Sequence, residues 1–366
     1  MSIDASHSSP RLLSLDVLRG IIMLLLAAES CTLYEAVNHQ APGWLIYQFF
    51  HHPWHGLRFW DLVQPAFMTM AGAAMYIAYQ AKISRGISWQ QNFWHILIRC
   101  VKLFIFGTAL HCVYAGKLVW ELWNVLTQLS VTTLIAYSII RRSVVFQILF
   151  SICLLLLTEV LYRTVLMPGF DKPFTQFESF GNWVDLKLMG KINTDGWVAI
   201  NIIPTAAHTI WGVLAGRLLV SKATAASKIK YLVLAGIAAL AAGLVLNGLA
   251  ITPIIKRIAT SSFTLAAGGW VLLWMALLYW ITDVKQYKQY AWIFVVVGMN
   301  AIFIYLFFET VGVQWLNKTI AIFVKGFVGY TGLAEGWLNI ITAIVSLWVE
   351  WHICYWLYKK KIFFKL

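Results

Sequence analysis

The stretch VVFQILFSICLLLLTEVLYRTVL, residues 144–166, decides the fold class. It runs for a bilayer's width with a single acid, Glu159, and one base, Arg163, near its far end. A helix needs about 20 apolar residues to cross a hydrocarbon core, and this run supplies them. It is not alone. The 366-residue chain is 60% hydrophobic and 12% charged, with 19 Trp and 22 Phe, and its mean hydropathy is +0.73. A soluble protein carries roughly a quarter of its residues charged, so half that share implies a surface that faces lipid. The expected class is an all-α polytopic membrane protein.

Marking similar runs gives about ten transmembrane helices: 16–34, 58–80, 93–114, 119–139, 144–166, 198–220, 230–249, 262–282, 290–312 and 336–357. The segment 316–333 is amphipathic and reads as an interfacial or re-entrant helix. Basic residues set the orientation, because cytoplasmic loops collect Lys and Arg. Arg11, Lys82, Arg85, Arg141, Arg142, Arg217, Lys222, Lys228, Lys230, Lys285, Lys288 and Lys359 to Lys361 fall on one side of the run order. Lys117, Lys191, Lys256, Arg257 and Lys318 fall on the other. Both termini are therefore expected in the cytoplasm, with the loop 167–197 outside. The opening MSIDASHSSPRLLSLDVLRG shows no basic, apolar and cleavage order of a leader. No linker divides the chain, and residues 1–366 read as a single membrane domain.

The net charge of +13 follows the same side-specific clusters, so nucleic acid is not the expected partner. Membrane lipid is, and a homodimer through lipid-facing spans is compatible with the pattern. Five cysteines form no CxxC pair and lie in or beside apolar runs, as small buried hydrophobes do.

Titratable residues inside apolar sequence mark sites or ion paths by default, since a charge at the bilayer centre costs about 2.5–3.5 kcal/mol on insertion scales. Glu29, Asp61, His111, Glu159, His208, Glu309 and Glu350 meet that description, with Asn201 and Asn300 as neutral companions. Just before Asp61 stand His51, His52 and His55. Three readings suit this trio: a metal site, interfacial belt residues beside Trp44, Trp54 and Trp60, or acid–base catalysis near neutral pH. Pro53 interrupts the i,i+4 pair that a zinc site would use, and no HExxH or CxxC accompanies it, so no metal is expected.

Several motifs carry a family likeness. RLLSLDVLRGIIMLLL (11–26) fits R-x-x-S-x-D-x-x-R-G, and HHPWHGLRFWDLVQPAFMTMAG (51–72) fits H-x-x-W-x-G-L-x-x-x-D-L-V-x-P-x-F-x-x-x-x-G. WNVLTQLSV (123–131), DGWVAINIIPTAAHTIWGVLAGRLL (195–219), PIIKRIATSSF (253–263) and GMNAIFIYLFFE (298–309) follow in order. Together they resemble the membrane acyltransferases related to heparan-α-glucosaminide N-acetyltransferase, in particular its compact bacterial members of the NagX type. The sequence departs from the family pattern at Asn124, Gln128, Ile255 and Arg257.

The resemblance implies transfer of acetyl from cytoplasmic acetyl-CoA to the amine of glucosamine, or of a glucosamine-ended oligosaccharide, across a bacterial inner membrane. It places the active histidine on His51 and an accompanying asparagine on Asn38, in the pair Val37-Asn38. His51 could act as the base that takes the ammonium proton, or attack the thioester and carry acetyl as an acyl-imidazole; the sequence leaves both open. Asn38 is a candidate oxyanion donor, and Asp61 a candidate to orient an imidazole or bind the ammonium. Coenzyme A is polyanionic and approaches from the basic side, which makes Asp16, Arg19, Arg99, Asn201, His208 and Gln128 its candidate contacts, with Lys102, Arg141 and Arg217 as further phosphate partners. Lys256, Ser261, Asn300 and Glu309 are the candidate acceptor contacts. An O-acyltransferase acting on a surface glycan and an amino-sugar transporter are the competing readings. Acetylation that depends on acetyl-CoA separates the enzyme from the transporter.

Overall fold

A computed structural model describes residues 12–38 and 40–364; Arg11, the first residue of the opening motif, lies outside them. Fifteen α-helices follow one another: α1 Leu13–Ser30, α2 Leu33–Val37, α3 Gly43–Ile46, α4 Val63–Ile83, α5 Trp89–Ala115, α6 Val125–Ser138, α7 Val144–Thr164, α8 Phe180–Met189, α9 Ile202–Leu219, α10 Ala225–Gly248, α11 Ser261–Leu278, α12 Ala291–Gly298, α13 Ala301–Phe307, α14 Asn317–Val328 and α15 Glu335–Lys359. Short 3-10 turns occupy Phe59–Leu62 and Ala199–Asn201, and a π-helical stretch spans Phe308–Leu316. Among the described residues there is no strand, as an all-α membrane chain requires.

Among the described residues six helices are long and apolar enough to cross a bilayer, and a seventh span arises if the bent pair 291–298 and 301–331 counts as one. The remaining expected runs also coil, in modified form. Run 119–139 shortens to α6, because Asn124 ends the preceding irregular segment and caps the helix by accepting from the Leu126 N–H. Run 58–80 becomes α4 only from Val63, after the 3-10 turn. Run 290–312 is broken at Met299–Asn300, where the two arms diverge by 73°. The expected interfacial segment 316–333 contains α14.

The chain divides into two units. One comprises His52–Leu57 and Asp61–Trp280; the other comprises Leu13–His51, Arg58–Trp60 and the chain from Ile281 on. In the first unit, α4 and α9 meet backbone to backbone. A Cβ on Gly72 would lie 2.0 Å from the Thr209 carbonyl oxygen, and one on Gly212 would lie 1.9 Å from that of Thr69. Apolar lipid offers no hydrophobic drive between helices, so close packing of small residues has to supply the attraction. Accordingly α9 is 67% buried across its span, whereas α7 and α10 are 22% and 17% buried and present leucine, isoleucine and valine outward. Hydropathy is highest where a helix faces lipid, which is why α4 reads weakly as a span although it sits in the core.

In the second unit α1 packs on α12 through the same device: a Cβ on Gly20 would lie 1.9 Å from the Phe294 carbonyl oxygen. The N-terminus of α1 is capped from far along the chain, with both carboxylate oxygens of Asp283 accepting the Leu13 and Ser14 N–H groups at 3.0 and 2.9 Å.

Replacing Gly212 by leucine should therefore force α4 and α9 apart and cost at least the ~1–3 kcal/mol typical of overpacking. Gly248→Ala, where a Cβ meets nothing within 4 Å, should be neutral or stabilising. Thermal unfolding of the purified variants in detergent, followed by size-exclusion recovery, separates the two; equal losses would show that the α4–α9 approach does not set stability.

Candidate functional site

The segment 51–62 is neither helix nor strand until its last 3-10 turn, so each of its polar backbone groups needs a specific partner. On the first unit's side, Arg257 Nη1 donates to the His52 carbonyl at 2.9 Å and also to the Pro53 carbonyl. The Gly56 N–H donates to the Ile254 carbonyl at 2.8 Å, and the Trp54 indole N–H to the Phe174 carbonyl at 3.0 Å. Gly56 has φ +125°, and a Cβ there would lie 2.5 Å from His52 Nε2. Only glycine lets the chain turn beneath the His52 ring.

These bonds gather three stretches that the basic-residue count expects on one side: the histidine segment, the loop 167–197 and the turn 253–260. Tyr162, Phe174, Ile255 and Ile258 form their shared apolar core, with Trp54 and Phe180 against it. Ile255 and Arg257, two of the four departures from the family pattern, thus have definite jobs, one as core and one as the staple on the histidine segment. Thr260 caps α11, accepting from Phe263 N–H, and its hydroxyl donates to the Pro253 carbonyl at 2.7 Å, closing the turn.

Beneath that turn lies the centre of charge. Asp61, fully buried, stands 3.6 Å from Lys256 Nζ, itself 7% exposed. The Lys256 ammonium also sits over the Trp197 ring, 5.5 Å from its centroid. Burial lowers the pKa of the Arg257 guanidinium, while the Asp195 and Asp61 carboxylates pull it back up. Asp61 and Lys256, assigned separately as catalytic and acceptor residues, are therefore brought together as one ion pair.

A cleft of about 570 Å³ opens in the same unit, lined by Trp54, His55, Arg163, Phe174 and Gln176 among others. A Cβ on Gly196 would lie 2.8 Å from the Trp54 ring and 3.0 Å from Gln176 Cγ, so the wall of the cleft is only one residue from Trp197. Aromatic faces beside guanidinium, imidazole and amide groups suit a polyhydroxylated ligand that stacks and hydrogen-bonds.

His51 and Asn38 belong to the second unit. The His51 ring lies 6.4 Å from Trp60, itself 1% exposed and packed edge-on against Tyr34. Arg58 Nη1 donates to the His51 carbonyl at 3.1 Å, and the Phe59 N–H donates to Gln48 Oε1 at 3.2 Å. Asn38 ends α2, its N–H donating to the Glu35 carbonyl. The histidine is thus half-buried, and its backbone is fixed.

The remaining expected residues scatter. In the first unit, Asn201 Nδ2 donates to the Arg257 carbonyl at 3.3 Å, and His208 Nε2 lies 2.9 Å from the Thr264 carbonyl oxygen, deep in the bundle. The Gln64 amide donates to Gln128, Ser261 Oγ donates to the Leu155 carbonyl, and Arg99 lies on α5. In the second unit Asp16 and Arg19 form an i,i+3 pair at 3.8 Å. Glu309 sits in the π-helical stretch, and Asn300 grips the C-terminal segment through Ile362 O and Phe364 N–H. No group of three or more potential metal ligands occurs among the described residues.

Asp185 on α8 positions the start of α9. Its carboxylate accepts the Ala199 N–H at 2.9 Å and the Trp123 indole N–H at 2.8 Å. Burial nevertheless dominates and pushes its pKa up to about 6. A carboxyl that keeps its proton to higher pH when folded lends stability below its unfolded pKa, and loses that contribution as pH climbs through the folded value.

The chain matches the family heparan-alpha-glucosaminide N-acetyltransferase, catalytic, over residues 11–251. No curated protein matches it significantly. The matched region covers about two-thirds of the sequence and includes Asn38, His51 and Asp61, while Lys256, Ser261, Asn300 and Glu309 lie beyond it. The chain belongs to this family of transmembrane acyltransferases.

Two outcomes follow. Removing one partner of a buried ion pair leaves the other charge uncompensated and typically costs about 3–5 kcal/mol. Lys256→Met should therefore destabilise more than the double variant Lys256→Met/Asp61→Asn, as a thermal double-mutant cycle would reveal; additive losses would mean that the pair is not coupled. For Asp185, the stability of wild type relative to Asp185→Asn should fall as pH rises from about 4 to about 6, and a flat difference across that window would contradict the buried, proton-holding carboxyl.

Proposed function

We propose that this family member is a bacterial inner-membrane N-acetyltransferase. In this reading acetyl from cytoplasmic acetyl-CoA passes to the amine of glucosamine, or of a terminal glucosamine, on the outer side. The reading rests on family membership and takes residues 1–366 as one transmembrane domain of the compact NagX kind. It has ten membrane-crossing segments, the three besides the seven apolar ones being α1, α4 and α6, and both termini are cytoplasmic. The observation that carries the acceptor side is the buried Asp61–Lys256 pair under Trp197, next to a cleft with the aromatic and polar lining that a sugar needs.

The reaction forms one C–N bond and breaks the thioester C–S bond. The ammonium loses two protons, the first to a base before attack and the second, after attack, to the departing thiolate; the base returns its proton to solvent. His51 is that base, with neutral imidazole abstracting the ammonium proton. The Asn38 amide donates to the developing oxyanion, a role whose loss typically costs about 10²–10³ in rate. Asp61, its charge balanced by Lys256, holds the site's electrostatics and receives the ammonium as it arrives, while Ser261, Asn300 and Glu309 complete the acceptor contacts. On the basic side Arg19, paired with Asp16, joins Arg99, Asn201, His208 and Gln128 in contacting the coenzyme. A homodimer would join through lipid-facing spans.

The test is acetylation of glucosamine by purified full-length protein with labelled acetyl-CoA. His51→Ala should lose about 10²–10⁴ of the rate, the usual worth of general base catalysis, and His52→Ala much less. Full activity in His51→Ala would move the base elsewhere. Failure of wild type to acetylate any amino sugar, with transport of that sugar into proteoliposomes, would replace the enzyme by a carrier.

A further inference from the structure

At the end of the first unit that carries Arg142 and Arg217, an apolar groove of about 570 Å³ runs along α7, α9 and α10. Trp211, Leu214 and Leu218 of α9 make its floor, and Ile148 of α7 faces Tyr231 and Ala235 of α10 across it. All three helices are candidate spans, and Ile148 and Tyr231 are 41% and 58% exposed, so the groove is presented to the bilayer. The Trp211 indole N–H is already used by Ser151 Oγ at 2.9 Å, which leaves a floor of carbon.

An apolar groove in a membrane admits a lipid tail by default; its polar end is what makes this one selective. Arg217 lines the groove, and its Nη1 donates to the Arg142 carbonyl at 3.3 Å. The Arg142 guanidinium lies 5.6 Å over the Phe146 ring. Close by, Lys228 Nζ donates to the Leu219 carbonyl at 2.7 Å, at the C-terminal end of α9. A guanidinium has five N–H donors in a fork that matches a phosphate, and juxtamembrane basic residues are each worth about 1 kcal/mol towards an anionic lipid surface. Coenzyme A fits the same arginine poorly here, because the amides of its long arm would lie against carbon with no partner, and an unpaired buried amide is costly.

We propose that this groove binds one acyl chain of an acidic phospholipid, whose phosphate engages Arg217 and Arg142. The proposal assigns Arg217, one of the coenzyme candidates in the sequence, to lipid instead, and uses none of the residues given roles in the acetyl-transfer reading.

Native mass spectrometry of the full-length protein, delipidated and then offered phosphatidylglycerol or phosphatidylcholine with identical chains, tests it. Wild type should retain the acidic lipid about fivefold better. Arg217→Gln should erase that preference, and Arg217→Lys should keep most of it. Ala235→Trp, at an exposed position where the larger ring can be accommodated, should reduce retention of both lipids, with an unchanged size-exclusion profile showing that the fold persists. Equal retention of both lipids by wild type would overturn the proposal. So would an acidic-lipid preference that survives both Arg217→Gln and Ala235→Trp, because the lipid would then sit elsewhere. One-for-one displacement of the lipid by acetyl-CoA would assign the groove to the coenzyme, and a dimer that Ala235→Trp dissociates, with no lipid retained, would assign it to a second copy.

Discussion

Irregular backbone near a bilayer survives only where protein groups replace the water it lacks, and the end of the first unit that holds the histidine segment is organised around that requirement. The histidine segment cannot coil, since Pro53 removes a donor and Gly56 turns the chain at positive φ. Its carbonyls are answered by Arg257 and its Gly56 N–H by Ile254. Trp54 in turn anchors the loop 167–197. The network holds the main chain of this irregular segment through the Arg257 and Trp54 side chains.

The same network explains how a lysine and an aspartate can stay buried. A carboxylate taken out of water is tolerable only when paired, and Asp61 is placed by the turn Phe59–Leu62 at the foot of α4, opposite the 253–260 turn that brings in Lys256. The Thr260 cap, the Ile255 core and the α4–α9 backbone contact each fix one side of that approach. Helix packing through glycine therefore has an electrostatic consequence: a shift of α4 by an ångström would change the separation of the buried charges.

Much of the architecture is legible in composition, because a lipid-facing helix announces itself by unbroken hydrophobicity; α5, α7, α10 and α15 fall almost where the runs predict. Helices buried mostly by other helices give a weaker signal, and α4, buried along most of its length, is the example. Breaks are harder still: Met299–Asn300 carries no proline or glycine pair, and the 73° bend there depends on tertiary contacts such as the Asn300 grip on the C-terminal segment. At the site, motif order marks His51 and Asp61, but nothing local pairs Asp61 with a lysine 195 positions later. The partners of Trp54, Trp197 and Arg257 escape a sequence reading for the same reason. One clue was present: Lys256 and Arg257 are adjacent bases on the side where basic residues are few, and a positive charge held against that bias needs a local anion.

That clue bears on how departures from a family pattern are read. Ile255 and Arg257 look, in sequence, like losses from a substrate-contacting motif. In the fold Ile255 is completely buried among Tyr162, Phe174 and Ile258, and Arg257 spends its hydrogen bonds on main-chain carbonyls. Asn124 serves as a helix cap and Gln128 as the partner of Gln64. At each departure the residue present has its partners inside this chain, so these positions act on the scaffold around the charged pair. Where a motif position points into the protein, its identity follows the neighbouring packing; Trp54 does both, packing on the Tyr162–Phe174 core with one side while lining the open cleft beside His55.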